Sequence, residues 1–425
     1  MNNTHCIVLL LPHIDGNRTS IERFKSFIYA FKLHYQHIKI INFQFPPTAN
    51  LFLGVDESDL DDKSISNVYK NYLITIKPNL NHIQSVFFKL ANAKNRKYVK
   101  PLIWLHQIVY GNDIFTPTNT QSLLDSLKGL QIKNGYIIAC GGPFGIWAIA
   151  DNLAKKLNYK LVLDYRDPYT FGFAPIDGSV LVHKLKKIFK RNYEIKLLER
   201  ANLITTVSTS LKNFFPNKIH TKIFVLPNGS NINVNEALIN PSPINFNIVY
   251  AGTLYNIQLN NQVFFEALKI FISDKDTSKI NLFFLGASGN LTLKKILNRY
   301  NLTEITTITP RQTKVQMLNY MCNASCFLHL KYGANSGIIT SKQAEYLAFK
   351  KAILLPVSDY GDLAQSITTN KAGKACNSVN QTLAFLNSLW SKHINKESLI
   401  VERPANTIVT RETVANNFIQ LITNT

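Results

Sequence analysis

The chain has 425 residues and carries a formal net charge of +21. This length suffices for two or three ordinary domains, and a composition of 46% hydrophobic and 17% charged residues excludes a disordered or low-complexity protein. No apolar segment is long enough to span a bilayer, and the first eleven residues lack the basic start of a signal peptide. We therefore expect a cytoplasmic protein with an anionic partner.

The cysteines and the motif content narrow the choice of partner. Five cysteines at irregular spacing argue against a disulfide framework. Cys322, Cys326 and His329 do not complete a zinc site, and structural roles are favoured for all three. No nucleic-acid-binding motif is present, which leaves phosphorylated substrates and anionic lipid as the anionic partners.

Apolar strands alternate with helical patterns in the first half of the chain. The predicted strands are residues 6–11, 38–43, 136–140, 160–164, 203–207 and 222–226. An amphipathic helix is predicted at residues 20–33, whereas residues 44–100 give no clear pattern. Continuous apolar strands that alternate with helices predict a parallel sheet covered on both faces.

A second α/β segment follows a stretch rich in Asn and Pro, residues 227–243, which predicts a linker. The predicted strands here are residues 246–251, 282–285, 305–308, 324–330 and 352–355. We expect two Rossmann-like domains, residues 1–240 with the linker and residues 241–405, and a last helix within residues 406–425 that could pack on either domain.

The segment between the last two strands carries the strongest functional signal. Residues 333–340 form a loop of small residues, and a helix is predicted to begin at Ser341 with Lys342 and Glu345 in its first turns. A helix N-terminus presents free backbone N–H groups and a positive dipole end, which suit a phosphate. Lys342 would add a charge for that phosphate, and Glu345 could accept hydrogen bonds from ribose hydroxyls. The pattern predicts a nucleotide-sugar site.

An ordered set of local patterns resembles the retaining glycosyltransferases of family 4, also called group 1. These patterns are PHIDGNR at 12–18, DYRDPY at 164–169, ANLITTVS at 201–208, LPNG at 226–229, IVYAGTLY at 248–255 and KQAEYLA at 342–348. The resemblance covers most of the chain and is weakest over residues 44–130.

The resemblance implies an α/β GT-B fold in which two Rossmann-like domains face each other across a cleft. The N-terminal domain would bind a saccharide acceptor and the C-terminal domain a nucleotide sugar, with UDP favoured over GDP. It implies hexosyl transfer without a metal, a cofactor or a dedicated base, because the leaving phosphate takes the acceptor proton. The acceptor suggested is a lipid-linked precursor of a bacterial surface polysaccharide.

Two departures from the family pattern concern the diphosphate. Members often carry two glutamates separated by seven residues; Glu345 matches the second, whereas Gly337 stands at the first position. Members also often place Arg and Lys after the strand that ends in Gly-Thr, but residues 253–258 contain neither. The diphosphate charge would then fall to Lys342, Lys331 and backbone N–H groups.

Four further residues are candidates on the same resemblance. Gly252 and Thr253 follow a strand, where a glycine lets the backbone approach a ligand closely; the alternative is a simple strand-ending turn. Gly16 matches a loop near the donor phosphates, and an ordinary turn is equally compatible. Asp167 could line the acceptor cleft or pair with Arg166 to order its loop. Asp167 and Lys342 are the candidate catalytic residues.

Residues 181–200 predict a basic amphipathic helix. Its apolar stripe consists of Leu181, Leu185, Ile188, Phe189 and Ile195, and its basic face of Lys184, Lys186, Lys187, Lys190 and Arg191. Such a helix could lie on anionic lipid at the inner face of the cell membrane. Alternatively, the apolar stripe covers the sheet and the lysines are solvated.

Two other functions remain open at this stage. One is a nucleotide-sugar 2-epimerase of the same architecture, and the other is a catalytically silent nucleotide-sugar-binding subunit. The missing first glutamate and the missing Arg/Lys pair keep the second alternative open.

Overall fold

The structure is a computed structural model. It describes residues 5–11, 19–35, 37–43, 72–76, 134–141, 144–173, 180–232, 239–404, 407 and 409–425, with the isolated positions 101, 105, 124, 125 and 127. The chain divides into two compact units, Met1–Pro227 with Arg411–Thr425, and Asn228–Thr410. Residues 228–232 and 239–240, placed with the first domain from the sequence, therefore lie in the second unit.

The described part of the first unit is built on a parallel sheet of seven strands. These are β1 (His5–Leu11), β2 (His37–Phe43), β3 (Leu73–Ile76), β4 (Asn134–Cys140), β5 (Lys160–Tyr165), β6 (Leu203–Thr206) and β7 (Ile223–Val225). Their order is β3-β2-β1-β4-β5-β6-β7. The described helices are α1 (Thr19–His34), α2 (Ile146–Leu157), α3 (Val180–Arg200), α4 (Thr209–Asn213) and, at the C-terminus, α11 (Arg411–Thr423).

The second unit repeats this plan with a six-stranded parallel sheet. Its strands are β8 (Phe246–Ala251), β9 (Ile280–Leu285), β10 (Thr306–Thr309), β11 (Cys326–Leu328), β12 (Ala352–Leu355) and β13 (Gly373–Ala375). Its described α-helices are α5 (Val263–Ile272), α6 (Leu291–Arg299), α7 (Lys314–Cys322), α8 (Ser341–Ala348), α9 (Asp362–Thr369) and α10 (Val379–Ile394). The order β10-β9-β8-β11-β12-β13 reverses direction between β8 and β11.

The C-terminal helix α11 returns to the first unit. Phe418 is fully buried, and its ring lies 4.4 Å from that of Phe27 and 5.9 Å from that of Phe31, both on α1. Tyr136 on β4 donates a hydrogen bond to the carbonyl of Ile422 at 3.0 Å. The packing partner of this helix, left open by the sequence, is therefore the first sheet unit.

Most strands predicted as apolar runs are buried, whereas β7 exposes Phe224 and Val225 and β10 is only partly buried. β8 and β12 have the predicted bounds, whereas β11 is shorter than the predicted 324–330 because His329 and Leu330 already belong to the following loop. β3 was not predicted: it has four residues and lies in the stretch without a clear sequence pattern.

Candidate functional site

The candidate site lies at the carboxyl edge of the second sheet, where the strand order reverses. In open parallel sheets this switch point is where ligands bind, because the loops on either side diverge and leave a crevice. Here the two flanking strands are β8, which leads into Gly252, and β11, which leads into His329. Helix α8 begins after the loop that follows β11.

The loop after β8 is fixed by buried side chains. The Tyr250 hydroxyl donates to the Thr253 carbonyl at 2.9 Å and contacts Oε1 of Gln258 at 3.2 Å. Gln258 donates through Nε2 to the Leu330 carbonyl at 2.8 Å, which ties this loop to the one after β11. Both loops are therefore held in place before any ligand arrives.

Lys342, in the first turn of α8, is the most unusual group at this edge. Its side chain is 7% exposed, and within the described residues its amine makes no hydrogen bond. The Nζ atom lies 3.6 Å from the ring centroid of Tyr250. Burial lowers the pKa of Lys342 to about 7, although the Glu345 carboxylate acts in the opposite direction. Among the described residues, this edge thus holds a buried amine that has no hydrogen-bond partner.

Glycines allow this close approach. Gly252 has φ +106°, and a Cβ there would lie 3.3 Å from Cε and 3.7 Å from Nζ of Lys342. Gly286, which follows β9, has φ +89°, and a Cβ there would lie 3.5 Å from the carbonyl of Gly252. Side chains at these two positions would therefore be strained, and one at Gly252 would fill the space beside the lysine amine.

Tyr346 joins α8 to the two strands that flank the switch point. Its hydroxyl accepts a hydrogen bond from the Ala251 N–H at 2.8 Å and donates to the Leu328 carbonyl at 3.3 Å. Its ring stacks on Phe327 with a centroid distance of 4.4 Å. The position of Lys342, one turn earlier on the same helix, is set by this anchor.

The other predicted residues of this unit have different surroundings. Gly337 is buried in the loop before α8, and Glu345 is partly buried on α8. Thr253 is exposed beside Gly252. The Lys331 amine lies 3.4 Å from the carbonyl of Ser358, which belongs to the loop after β12. The structure therefore brings Lys342 and Gly252 into direct proximity and places Lys331 on a neighbouring loop.

His329 was interpreted from the sequence as a structural histidine. It is fully buried, and within the described residues neither ring nitrogen makes a hydrogen bond of good geometry. Burial and the charge of Lys342 lower its pKa to about 3, while the Leu330 backbone acts in the opposite direction. Sequence periodicity placed His329 on a buried strand but could not show that its nitrogens lack partners.

In the first unit, Asp167 lies two residues after β5, at the carboxyl edge of that sheet. Its carboxylate pairs with Arg166 at 2.9 Å, and its side chain remains 59% exposed. The ion pair considered in the sequence analysis is therefore present, and the Asp167 carboxylate is also open to a ligand. Gly16 lies outside the described residues.

A buried carboxyl group orders the loop that carries Asp167. Glu194 on α3 accepts hydrogen bonds from the Tyr165 hydroxyl at 2.6 Å, from the Thr170 N–H at 2.9 Å and from the Thr170 hydroxyl. Burial raises the pKa of Glu194 to about 7, against the effect of these hydrogen bonds.

Helix α3 does not bury the stripe that its sequence suggested. Leu181, Ile188 and Phe189 are 61%, 70% and 63% exposed, whereas Glu194 and Leu197 are fully buried. The interpretation of the apolar stripe as a cover for the sheet is therefore wrong for these residues.

The described residues offer neither a metal site nor a membrane-spanning helix. Among the described residues, no group of three or more His, Cys, Asp or Glu side chains could hold a metal ion. None of the helices in the described part of the chain has both the length and the apolar character needed to cross a bilayer.

Two parallel sheets, each with the 3-2-1-4-5-6 order in its first six strands, define a double Rossmann-like architecture. Solved structures with the same architecture align with this chain over nearly its whole length. Anabaena Alr3699/HepE in complex with UDP-glucose has a TM-score of 0.59 at 10% identity, over 99% of this chain and 100% of that one. Sucrose-phosphate synthase from Thermosynechococcus elongatus has a TM-score of 0.56 at 11% identity, over 99% and 98%.

A UDP-GlcNAc 2-epimerase from Neisseria meningitidis, bound to UDP-GlcNAc, has a TM-score of 0.51 at 10% identity, over 99% of this chain and 100% of that one. No protein-family model matches the sequence. No curated protein matches it either. At these identities the likeness shows the fold alone, and it confirms the predicted α/β fold with two Rossmann-like units of the GT-B type.

Proposed function

We propose that the protein is a glycosyltransferase that takes a sugar from a nucleotide diphosphate bound in the second unit. The observation that carries this proposal is the buried Lys342 amine, which has no hydrogen bond within the described residues and lies beside Gly252 at the switch point. Leaving a buried charge unpaired is unfavourable, so such a group is expected where an anion binds.

The diphosphate would bind between Lys342, the first backbone N–H groups of α8 and the loop at Gly252. Helix N-termini and glycine loops favour phosphate for the same reason: their N–H groups point at the ligand, and no side chain intervenes. Glu345 would accept hydrogen bonds from the ribose, while Lys331, Thr253 and the Gly337 backbone would border the donor. UDP complexes of HepE and of the 2-epimerase support a uridine nucleotide.

The transfer we propose retains the configuration of the donor sugar, as in family 4. The bond between the anomeric carbon and the diphosphate oxygen breaks, and the diphosphate leaves with the bonding electrons. The acceptor hydroxyl attacks from the same face, and its proton passes to the leaving phosphate oxygen. Lys342 stabilises the charge that develops on the diphosphate. The reaction needs no metal, and Asp167 would bind the acceptor in the first unit.

The proposed acceptor is a lipid-linked glycan, and helix α3 would bind the surface of the membrane that contains it. This helix exposes Leu181, Ile188 and Phe189, with the exposed Lys184 nearby. Apolar side chains that insert below the headgroups, beside lysines that pair with anionic lipid, are typical of interfacial helices. The net charge of +21 favours the same partner.

A product assay tests the proposal. The protein is incubated with UDP-glucose, UDP-GlcNAc and the corresponding GDP-sugars, with and without a lipid-linked saccharide, in EDTA. Acceptor-dependent release of UDP and a glycoside with the donor's anomeric configuration are expected. A new nucleotide sugar formed without an acceptor would instead identify an epimerase, and binding without turnover would identify a silent subunit. Activity that is lost in EDTA and restored by magnesium would contradict the metal-independent reaction.

A further inference from the structure

A second buried group lies close to Lys342 at the same edge of the sheet. His329 is the first residue after β11, and its ring centroid lies 5.8 Å from that of Tyr346, which anchors α8. The β8–β11 register pairs Phe327 with Val249, so its continuation places His329 beside Ala251, the residue before Gly252. The histidine and the lysine thus both lie near the start of the loop after β8, at Ala251 and Gly252.

A comparison with other histidines of the chain shows why a purely structural role is a poor explanation. His220 contacts the Phe215 carbonyl through Nε2 at 2.9 Å, as a satisfied structural histidine does. His393 packs its ring against Phe246 and Trp390 at 5.6 and 5.4 Å, at the opposite edge of the second sheet. His329 is fully buried and its ring packs edge-on against Tyr346, but within the described residues neither of its nitrogens has a hydrogen-bond partner of good geometry. Each unsatisfied buried polar group lowers the stability of the fold.

Burial, together with the charge of Lys342, favours the neutral form of the His329 imidazole. A cation next to a buried imidazole disfavours a second positive charge, so His329 is neutral and carries one N–H donor and one acceptor nitrogen. An anion that enters beside the lysine can accept that N–H, which satisfies the histidine and the lysine together.

We propose that His329 binds a phosphate oxygen of the nucleoside diphosphate held by Lys342, as a neutral hydrogen-bond donor. The inference rests on the proposed function, because it requires a nucleoside diphosphate in this site. His329 is thereby a ligand-binding residue, although it lies outside the sequence patterns from which the site was predicted.

The test measures UDP, inorganic pyrophosphate and uridine binding by calorimetry, with thermal unfolding of each unliganded variant. His329→Leu should weaken UDP and pyrophosphate binding by ~10-fold or more, as expected for a lost hydrogen bond to a charged group, and leave uridine binding unchanged. Its midpoint of unfolding should not fall, because two unsatisfied nitrogens are removed. His329→Gln retains an N–H donor and should keep most of the affinity.

His393→Leu is the matched control, because it removes a buried histidine from the same unit but away from the switch point. It should leave UDP affinity unchanged. Equal UDP affinity in wild type and His329→Leu, with a lower midpoint of unfolding, would show that His329 is structural and would leave the proposed function intact. A loss of the same size for uridine would also overturn the inference, and absence of UDP binding by the wild type would overturn both.

Discussion

Lys342 combines a feature that destabilises the fold with one that suits a ligand. Within the described residues its amine lacks a hydrogen bond and lies against the ring of Tyr250, in space that a side chain at Gly252 would fill. Lys351 is equally buried, but its amine donates to the Asn240 carbonyl at 2.5 Å. The two lysines therefore have opposite roles: Lys351 stabilises the unit and Lys342 is available for a ligand.

Replacing each of these two lysines with methionine tests the contrast between them. Lys342→Met should raise the free energy of unfolding of the unliganded protein by about 1–3 kcal/mol, because it removes an unsatisfied buried charge. The same change should weaken UDP binding at least ~10-fold. Lys351→Met should do the reverse, with lower stability and unchanged affinity. Denaturation and UDP titration of both variants measure these effects, and a Lys342→Met protein that is less stable but binds UDP normally would contradict the assignment.

UDP binding should depend on pH through Lys342. Burial lowers the pKa of the free amine to about 7 from 10.5, and a bound diphosphate would raise it again. Below pH 7 the amine is already charged, so the affinity for UDP should be highest there. From pH 7 to 9 the affinity should fall by up to ~10-fold for each pH unit, because binding of UDP must then be accompanied by uptake of a proton. His329 and Tyr332, with pKa values of about 3 and about 12, titrate outside this window.

Calorimetry in two buffers of different ionisation enthalpy measures this proton uptake. Lys342→Met should bind weakly and without dependence on pH over the same range. A wild-type affinity that stays constant between pH 7 and 9 would show that the lysine amine does not meet the diphosphate. Unliganded stability should change with the opposite sign: it rises with pH through this window because the folded state releases the lysine proton first.

At the scale of elements, helix α3 differs most from its sequence-based interpretation. Helical periodicity correctly predicted the helix, but Leu181, Ile188 and Phe189 of the apolar stripe are exposed and the buried side includes Glu194. Glu194 is satisfied by Tyr165 and Thr170, which come from a loop that no local pattern connects to this helix. A rule that places acids in solvent and apolar residues inside cannot anticipate such partners.

The exposed stripe leads to a lipid-binding test. Replacing Ile188 and Phe189 with Ser should reduce co-sedimentation with anionic vesicles by at least ~10-fold, because their insertion contributes apolar burial. Replacing Lys184 and Lys187 with Glu should remove the dependence on salt and on anionic lipid. Ile244→Ser, at a 93% exposed position in the second unit, is the matched control. A wild-type protein that does not bind anionic vesicles even at low salt would contradict the proposed membrane binding.

Other elements were predictable because local signals and tertiary packing agree. β8 and β12 are continuous apolar runs, and their bounds are as predicted. The start of α8 at Ser341 was also predicted, from the loop of small residues and the residues that follow. The role of His329 was not, because a missing hydrogen-bond partner is a property of the folded surroundings. Gly286 was missed as well, although, like Gly252, it directly follows a strand.

At the scale of the whole molecule, the two units repeat one plan and differ in what their carboxyl edges offer. The second unit presents the buried Lys342 amine beside Gly252 at its switch point, and the first presents the exposed Asp167 on a loop ordered by Glu194. This difference supports a donor site in the second unit and an acceptor site in the first. The fold itself is compatible with both glycosyl transfer and 2-epimerisation, because function depends on the sites that a fold carries.

The most direct test of the donor site is a crystal structure of the protein soaked with UDP. The diphosphate should lie beside Gly252, with a phosphate oxygen within hydrogen-bond distance of the Lys342 amine, and the ribose hydroxyls should lie within reach of the Glu345 carboxylate. UDP bound in the first unit, or bound in the second with its diphosphate away from Lys342, would contradict the account.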